Sequence, residues 1–368
     1  MNTKTERTPK LIWDLGTAYD FFQSLLVLHM PAKFGVRAAW SAGMRARLDT
    51  ADRDVLADAT KVLSTPLRWI YGLPEPKNVE TVLWSLSQIP AAERLEMLTM
   101  QPLMEGSKEL ALLRSVSAKG SWNEEDRRHL RQIHTAKHKH APTRDEIEKT
   151  LEAWANPEAF GEAYLKALRA YQKAFFAEEE RRILPALKEA LERAQELAKR
   201  LSLQDLIEEL SSGIRIEGSL PYEELIIAPS FWVTPLLLSS RGGDGRMILV
   251  FGARSANASL VPGETVPDAL LQALKALADP TRLKILRLIH EKPLGAAELA
   301  RHLRLRTPTV AHHLQALRVA GLLQVLLPKA GSKEKAHYAL RLDALENTRT
   351  QLRDYLLVDS EMEQGGTR

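Results

Sequence analysis

The chain of 368 residues contains no cysteine, which excludes disulfides and thiolate metal sites and fits a reducing compartment. It also lacks a long apolar run. The most apolar stretch, Leu225 to Leu238, is interrupted by Pro229 and Pro235 and is too short to span a bilayer. The opening segment, MNTKTERTPKLIWDLG, has no continuous apolar core of signal-peptide length. The motifs GxGxxG, GxxxxGK followed by Ser or Thr, GxSxG and HExxH are all missing, so no phosphate cradle, nucleophile elbow or zincin helix is encoded. What remains is an ordinary globular balance, 45% apolar and 27% charged, on a chain longer than one typical domain. A soluble, cytoplasmic protein of two or three domains, with no membrane contact, is expected.

The most informative stretch runs from Leu277 to Leu323, LADPTRLKILRLIHEKPLGAAELARHLRLRTPTVAHHLQALRVAGLL. Leu277, Leu283, Ile285, Leu286 and Ile289 recur at helical spacing, with Asp279-Pro280-Thr281 as a cap or kink. Lys292 to Gly295 breaks that helix, and Leu299 and Leu303, one turn apart, define a short second one. A third helix opens at Thr307-Pro308 and buries Val310, Leu314 and Leu317. Leu322 to Leu327 and Ala336 to Leu342 then read as two strands around a basic turn, PKAGSKEK, which makes a wing.

The outward side of the third helix carries Thr309, His312, Gln315 and Arg318, with His313 nearer the buried margin and Arg306 and Thr307 at its mouth. These residue types can read a nucleic-acid groove: Thr bonds a base edge or phosphate, Gln pairs with adenine, and Arg serves guanine or the backbone. Charge agrees. Val266 to Leu342 holds 13 Lys and Arg against 5 Asp and Glu, a net +8, whereas the whole chain has 51 against 47. Cations are thus concentrated where duplex DNA would lie, and phosphate contacts are expected from Arg318, Lys333 and Lys335.

These residues resemble the ArsR/SmtB class of winged-helix transcriptional repressors. The likeness is carried by Leu277-Ala278-Asp279-Pro280-Thr281-Arg282-Leu283, by Pro308-Thr309-Val310-Ala311-His312-His313-Leu314, and by Leu317-Arg318-Val319-Ala320-Gly321-Leu322. It implies a homodimeric regulator, paired through the segments Asp268 to Ala278 and Leu342 to Leu357, that reads a two-fold operator and represses. Two departures are visible. Arg306 stands where the family usually has a capping Ser, and Ala311 replaces a Ser that commonly approaches DNA. The family's metal sites do not carry over: Leu294 to Glu298 has no thiol, and Asp343 to Asp359 has acids but no His. No metal and no cofactor are expected.

Residues from about Ala18 to Ser212 read almost wholly as helices. Trp13, Trp40, Trp69, Trp84, Trp122 and Trp154 are spread along them, which favours a core over an aromatic cage. Ser121 to His140 carries His129, His134, His138 and His140 among cations; a solvated basic helix end or a secondary phosphate contact suits it better than a metal site. Leu184, Leu187, Leu191, Ala194, Ala198 and Leu201 form a heptad-like stripe, read as core-facing rather than as a seam between subunits. From Gly213 onward Ile214, Ile216, Leu225 to Ala228 and Met247 to Phe251 suggest a small antiparallel sheet, with Phe231 and Trp232 either lining an effector pocket or, more ordinarily, covering the sheet edge or packing on the bundle.

The expected architecture is therefore mainly α: a helical sensor or dimerisation domain over 1–212, a small antiparallel β-sheet over 213–254, a linker over 255–267 and a winged helix-turn-helix over 268–358. The expected function is transcriptional regulation through double-stranded DNA, with an unknown effector. The competing expectations are an enzyme, or a protein-docking module, carrying that domain as a regulatory tail, since a fold alone does not fix function.

Overall fold

The computed structural model describes residues 8–362 except 100–105, 138–141, 219, 242–243, 256–257, 262–265, 330–331 and 333. Its helices start where short polar side chains can take up first-turn amides that a helix cannot pair itself. Asp49 accepts from Asp52 N, Asn78 from Thr81 N, Ser107 from Leu110 N and Ser202 from Asp205 N. Thr143 accepts from Glu146 N while Glu146 reaches back to the Thr143 amide, a reciprocal capping box. Helix Pro157–Tyr171 passes so close to Ala91–Thr99 that Gly161 has no room for a side chain beside the Ala91 carbonyl. Arg94 fastens the crossing by donating to the carbonyl oxygen of Gly161 at 3.0 Å.

Among the described residues, eight strands form two four-stranded sheets. In the first, β1 (Lys10–Trp13) pairs in parallel with β3 (Glu224–Ser230), β3 in parallel with β5 (Arg246–Gly252), and β4 (Leu237–Arg241) lies antiparallel on the far edge of β5. The expected small antiparallel sheet is thus corrected to a mixed one. The one antiparallel pair is β4 with β5, and β4 takes up Ser239 to Arg241, the first part of the SSRGGDG stretch, which reads as a turn in the sequence. The uninterrupted apolar runs Leu225 to Ala228 and Met247 to Phe251 are buried throughout, as the central strands of a parallel sheet require when both faces are covered. The missing partner, β1, comes from the other end of the chain.

Helices and sheet share one hydrophobic core that runs from Ala18 to Leu260. Trp154 is buried in it and Trp13, Trp40, Trp69 and Trp122 pack against it, but Trp84 is 59% exposed. Leu187 and Ala194, from the heptad-like stripe, are sealed inside this same core on helix Ala177–Ala198. Phe231 and Trp232 are buried too: Trp232 stacks on Trp40 at 6.0 Å and donates from Nε1 to Glu179 Oε1 at 2.9 Å, so it is a core residue and not a pocket wall. Leu260, in the expected linker, is buried against the body as well.

The head has its own core of Ile285, Leu286, Ile289, Leu299, Val310, Leu314, Leu317 and neighbours. Leu283, expected in that stripe, is instead 48% exposed. Strand β6 (Leu294–Gly295), β7 (Leu323–Leu327) and β8 (His337–Leu340) form the wing, with β8 antiparallel to both neighbours. The remaining strand, β2 (Ile214–Ile216), does not join the body sheet. It lies parallel to β7, Ile214 opposite Val325 and Ile216 opposite Leu327, so the segment leaving the helical body extends the wing sheet.

Candidate nucleic-acid interface

Each helix of the head is placed by caps encoded in its own motif. Asp279 accepts from Arg282 N at 2.9 Å and starts helix Pro280–Glu291, with Pro280 in the first turn where its missing N–H costs nothing. Arg282 then turns back and donates to the carbonyl oxygens of Ala276 and Lys275 at 3.0 and 2.9 Å, closing the end of helix Asp268–Leu277. The Asp-Pro-Thr-Arg block therefore joins two helices at a fixed angle. That bond and the Arg282 charge hold the Asp279 carboxyl below its usual range. Glu298 caps helix Ala296–Leu303 by accepting from Gly295 N at 2.8 Å. The helix ends at Arg304, in the left-handed region at φ 55°, which makes the turn into the third helix tight.

The third helix, Thr307–Val319, has Pro308 in its first turn, but its cap residue Arg306 makes no side-chain capping bond. The departure from the family's Ser therefore leaves first-turn amides without that partner, at an end where an anion is electrostatically favoured. Val310, Leu314 and Leu317 face the core. Arg306, Thr307, Thr309, His312 and Gln315 are exposed, and His313 is half-buried with Nδ1 3.9 Å from Asp279 Oδ1.

Arg318 is the correction. The sequence reading set it on the outward side, but it is only 8% exposed. Steps of three residues fall about 60° short of a full turn, so the row beginning at Thr309 has rotated by about 180° when it reaches Arg318. There it meets the body: Nη1 donates to Ser212 O at 2.9 Å and Nη2 to Ser211 O at 2.8 Å. Burial, and secondarily the charge of Arg341, bring its guanidinium down to about 10, which leaves it cationic at neutral pH.

On the wing, Lys335 is exposed, whereas Lys333 lies outside the described residues. Exposed cations that the sequence reading passed over are Arg301 and Arg304 at the end of the second helix and Lys329 at the end of β7. The signal for Arg301 and Arg304 is the run of Arg before the third helix, and that for Lys329 is the basic turn PKAGSKEK. Farther away, His134 is hydrogen-bonded to Glu109 Oε1 at 2.8 Å, while His138 and His140 lie outside the described residues. No helix among the described residues is long and apolar enough to cross a membrane.

Comparison with known proteins agrees with this geometry. Residues 279–325 match the family model described as "Bacterial regulatory protein, arsR family". The chain is 39% identical over 64 residues to an uncharacterized HTH-type transcriptional regulator of Methanocaldococcus jannaschii, a match over 17% of this chain and 67% of the relative. It is also 39% identical over 49 residues to the transcriptional repressor SdpR of Bacillus subtilis, covering 13% of this chain and 54% of that protein. Both matches are far shorter than this chain. No solved structure matches it.

Proposed function

Because the chain belongs, through its C-terminal domain, to the arsR family of bacterial regulatory proteins, we propose that it represses transcription by binding duplex DNA as a homodimer in the cytoplasm, under the control of its N-terminal body. Thr309, His312 and Gln315 form the reading row. They are exposed, and they lie on a helix whose opposite face is locked into the head's core. That combination, a fixed rod with an exposed polar side in a domain of net +8, is the observation that carries the proposal.

Arg306, Thr307 and Lys335 would supply phosphate contacts, and His313 would steady the row from its margin. The flanking helices leave Leu274, Leu342 and Leu356 exposed, the last at 64%, and a second copy would cover them. Two heads on one frame would then meet successive major grooves of a two-fold operator. The body is assigned signal sensing, not catalysis.

The test is a gel shift with the double variant His312→Ala, Gln315→Ala. Base contacts specify and phosphate contacts position, so the variant should lose its preference for operator over random duplex by at least tenfold while retaining weak, salt-sensitive binding. A double variant that still selects the operator would remove this helix as the reader.

A further inference from the structure

Arg254 follows β5 and is buried where the body faces the head, with its side chain 9% exposed. Its amide donates to Thr234 Oγ1 at 2.9 Å and its Nη2 to the Thr234 carbonyl at 3.3 Å. Its Nη1 has no hydrogen-bond acceptor among the described residues. The nearest carboxylate oxygen, Asp268 Oδ2, is 3.3 Å away in an ion pair and already accepts from Leu260 N at 2.5 Å. Asp268 is the first residue of the head's first helix, so this ion pair bridges body and head.

Arg254 also lines a cavity of about 230 Å³. That is more than ten times the roughly 10–15 Å³ that one water needs. Body residues Phe34, Val36 and Pro235 form one wall, and Leu271, Val319 and Gly321 of the head form the other. Arg37, Arg254, Lys275 and Arg341 line it together with Asp268; Asp268 pairs with Arg254 at 3.3 Å and Arg341 pairs with Asp343 at 2.8 Å, so cations outnumber carboxylates by four to two. A concave site with convergent polar groups beside apolar walls is the usual form of a small-molecule site, and the excess of cations favours an anionic guest.

We propose that this cavity is an effector site for a small organic carboxylate with an apolar body, which pairs with the cations of the lining, Arg254 among them, and, by touching both walls, biases how the head sits on the body. The consequence for DNA rests on the regulator reading above; the binding itself does not. Burial brings the Arg254 guanidinium to about 10, so it remains cationic across the neutral range.

Calorimetry on the full chain without DNA separates the two. Benzoate and octanoate are the probes, with benzyl alcohol as the uncharged control and inorganic phosphate as the anion without an apolar body. One carboxylate should bind with a submillimolar Kd, at least tenfold more tightly than either control. Arg254→Gln should weaken it at least tenfold. So should Ala269→Trp, which fills the opening from an exposed position on the lining and stands in if the Arg254 variant does not fold.

Absence of carboxylate binding below 10 mM, equal binding of either control, or unchanged binding by a folded Ala269→Trp would each overturn the site. An operator gel shift repeated with the bound carboxylate should change DNA affinity at least threefold in the parent and not in Ala269→Trp. Calorimetric binding with no such change would overturn the coupling alone, and a chain that ignores DNA would sink the regulator reading while calorimetry still decides the cavity.

Discussion

Arg318 of the reading helix and Ser211 of the body, 107 positions apart in sequence, are joined by a charged hydrogen bond of 2.8 Å from Nη2 to the carbonyl oxygen. A second bond reaches Ser212, which takes the left-handed conformation at φ 53° just before Gly213 at φ 105° and strand β2. The end of the helix that carries the reading row is thus tied to the turn by which the body enters the wing. Replacing Arg318 by Gln leaves one buried and one half-buried carbonyl short of a charged donor, a loss of about 1.5–3 kcal/mol per interaction at most. A phosphate contact and a structural tie give different signatures. Loss of a phosphate contact lowers the slope of log K against log salt by about 0.9. Arg318→Gln is expected to lower thermal stability and operator affinity with the slope unchanged, measured by a melt and by gel shifts at several salt concentrations.

A second polar relationship lies deep in the body. Asp20 is fully buried; its Oδ1 accepts from Ser230 Oγ at 2.7 Å and from Trp232 N at 2.9 Å, and its Oδ2 has no hydrogen-bond partner among the described residues. Burial raises its carboxyl to about 7, with the Glu179 charge adding to the rise and the two donors opposing it. The folded state therefore binds this proton more tightly than the unfolded chain, whose Asp titrates near 3.9. The contribution to stability is complete below that unfolded value and is lost as pH rises through about 7. Asp20→Asn cannot ionise. Relative to the parent, it should gain about 2–3 kcal/mol between pH 5 and pH 8, an upper bound set by that rise. Urea unfolding of both proteins at the two pH values checks it, and a pH-independent difference would contradict the buried proton.

Gly161 tests packing against propensity. It lies within helix Pro157–Tyr171, where Ala is favoured over Gly by about 1 kcal/mol, so on propensity alone Gly161→Ala should stabilise. A Cβ there would fall inside the contact distance of the Ala91 carbonyl oxygen, a backbone atom that cannot swing aside. Overpacking of this kind costs about 1–3 kcal/mol, occasionally more. The clash should win, and Gly161→Ala is expected to lower the urea midpoint without changing the slope of the transition.

The head was legible because its signals are local. Asp279 with Pro280, and Pro308 one residue into the third helix, sit within a turn of the amides they serve, and the spacing of Val310, Leu314 and Leu317 repeats inside a single helix. What escaped was set by partners distant in the chain. Strand β2 is three residues long and is specified by β7 more than a hundred positions later. Strand β1 is more than two hundred positions from β3. The cavity beside Arg254 is made from segments of the body and the head that no pattern joins, whereas Phe231 and Trp232, the aromatic pair weighed as pocket lining, are buried in the core. Arg318 is different, since its rotation away from Thr309 follows from helix geometry alone; the helix period contradicted an outward reading before any tertiary contact was known.

Asp279 offers the clearest separation of a cap from a charge. Its Oδ1 takes the Arg282 amide, its carboxylate faces the Arg282 guanidinium at 3.9 Å, and His313 Nδ1 is also 3.9 Å away. Loss of an N-cap costs about 1 kcal/mol, so Asp279→Ala should lower stability by that amount at pH 7. Asp279→Asn keeps a capping oxygen and should lose only a few tenths, since the two residues cap about equally. The difference between the parent and Asp279→Asn should also depend on pH. The folded carboxyl lies below its usual value, so its charged contribution is present above the unfolded pKa near 3.9 and is lost as pH falls through the folded one. Denaturant melts at pH 7 and pH 3 should therefore show the parent's small advantage over Asp279→Asn shrinking in acid, while the deficit of Asp279→Ala persists in part, because a protonated carboxyl still offers an oxygen to the Arg282 amide. An alanine variant as stable as the parent at neutral pH would mean that the Asp279 cap does not stabilise the start of helix Pro280–Glu291.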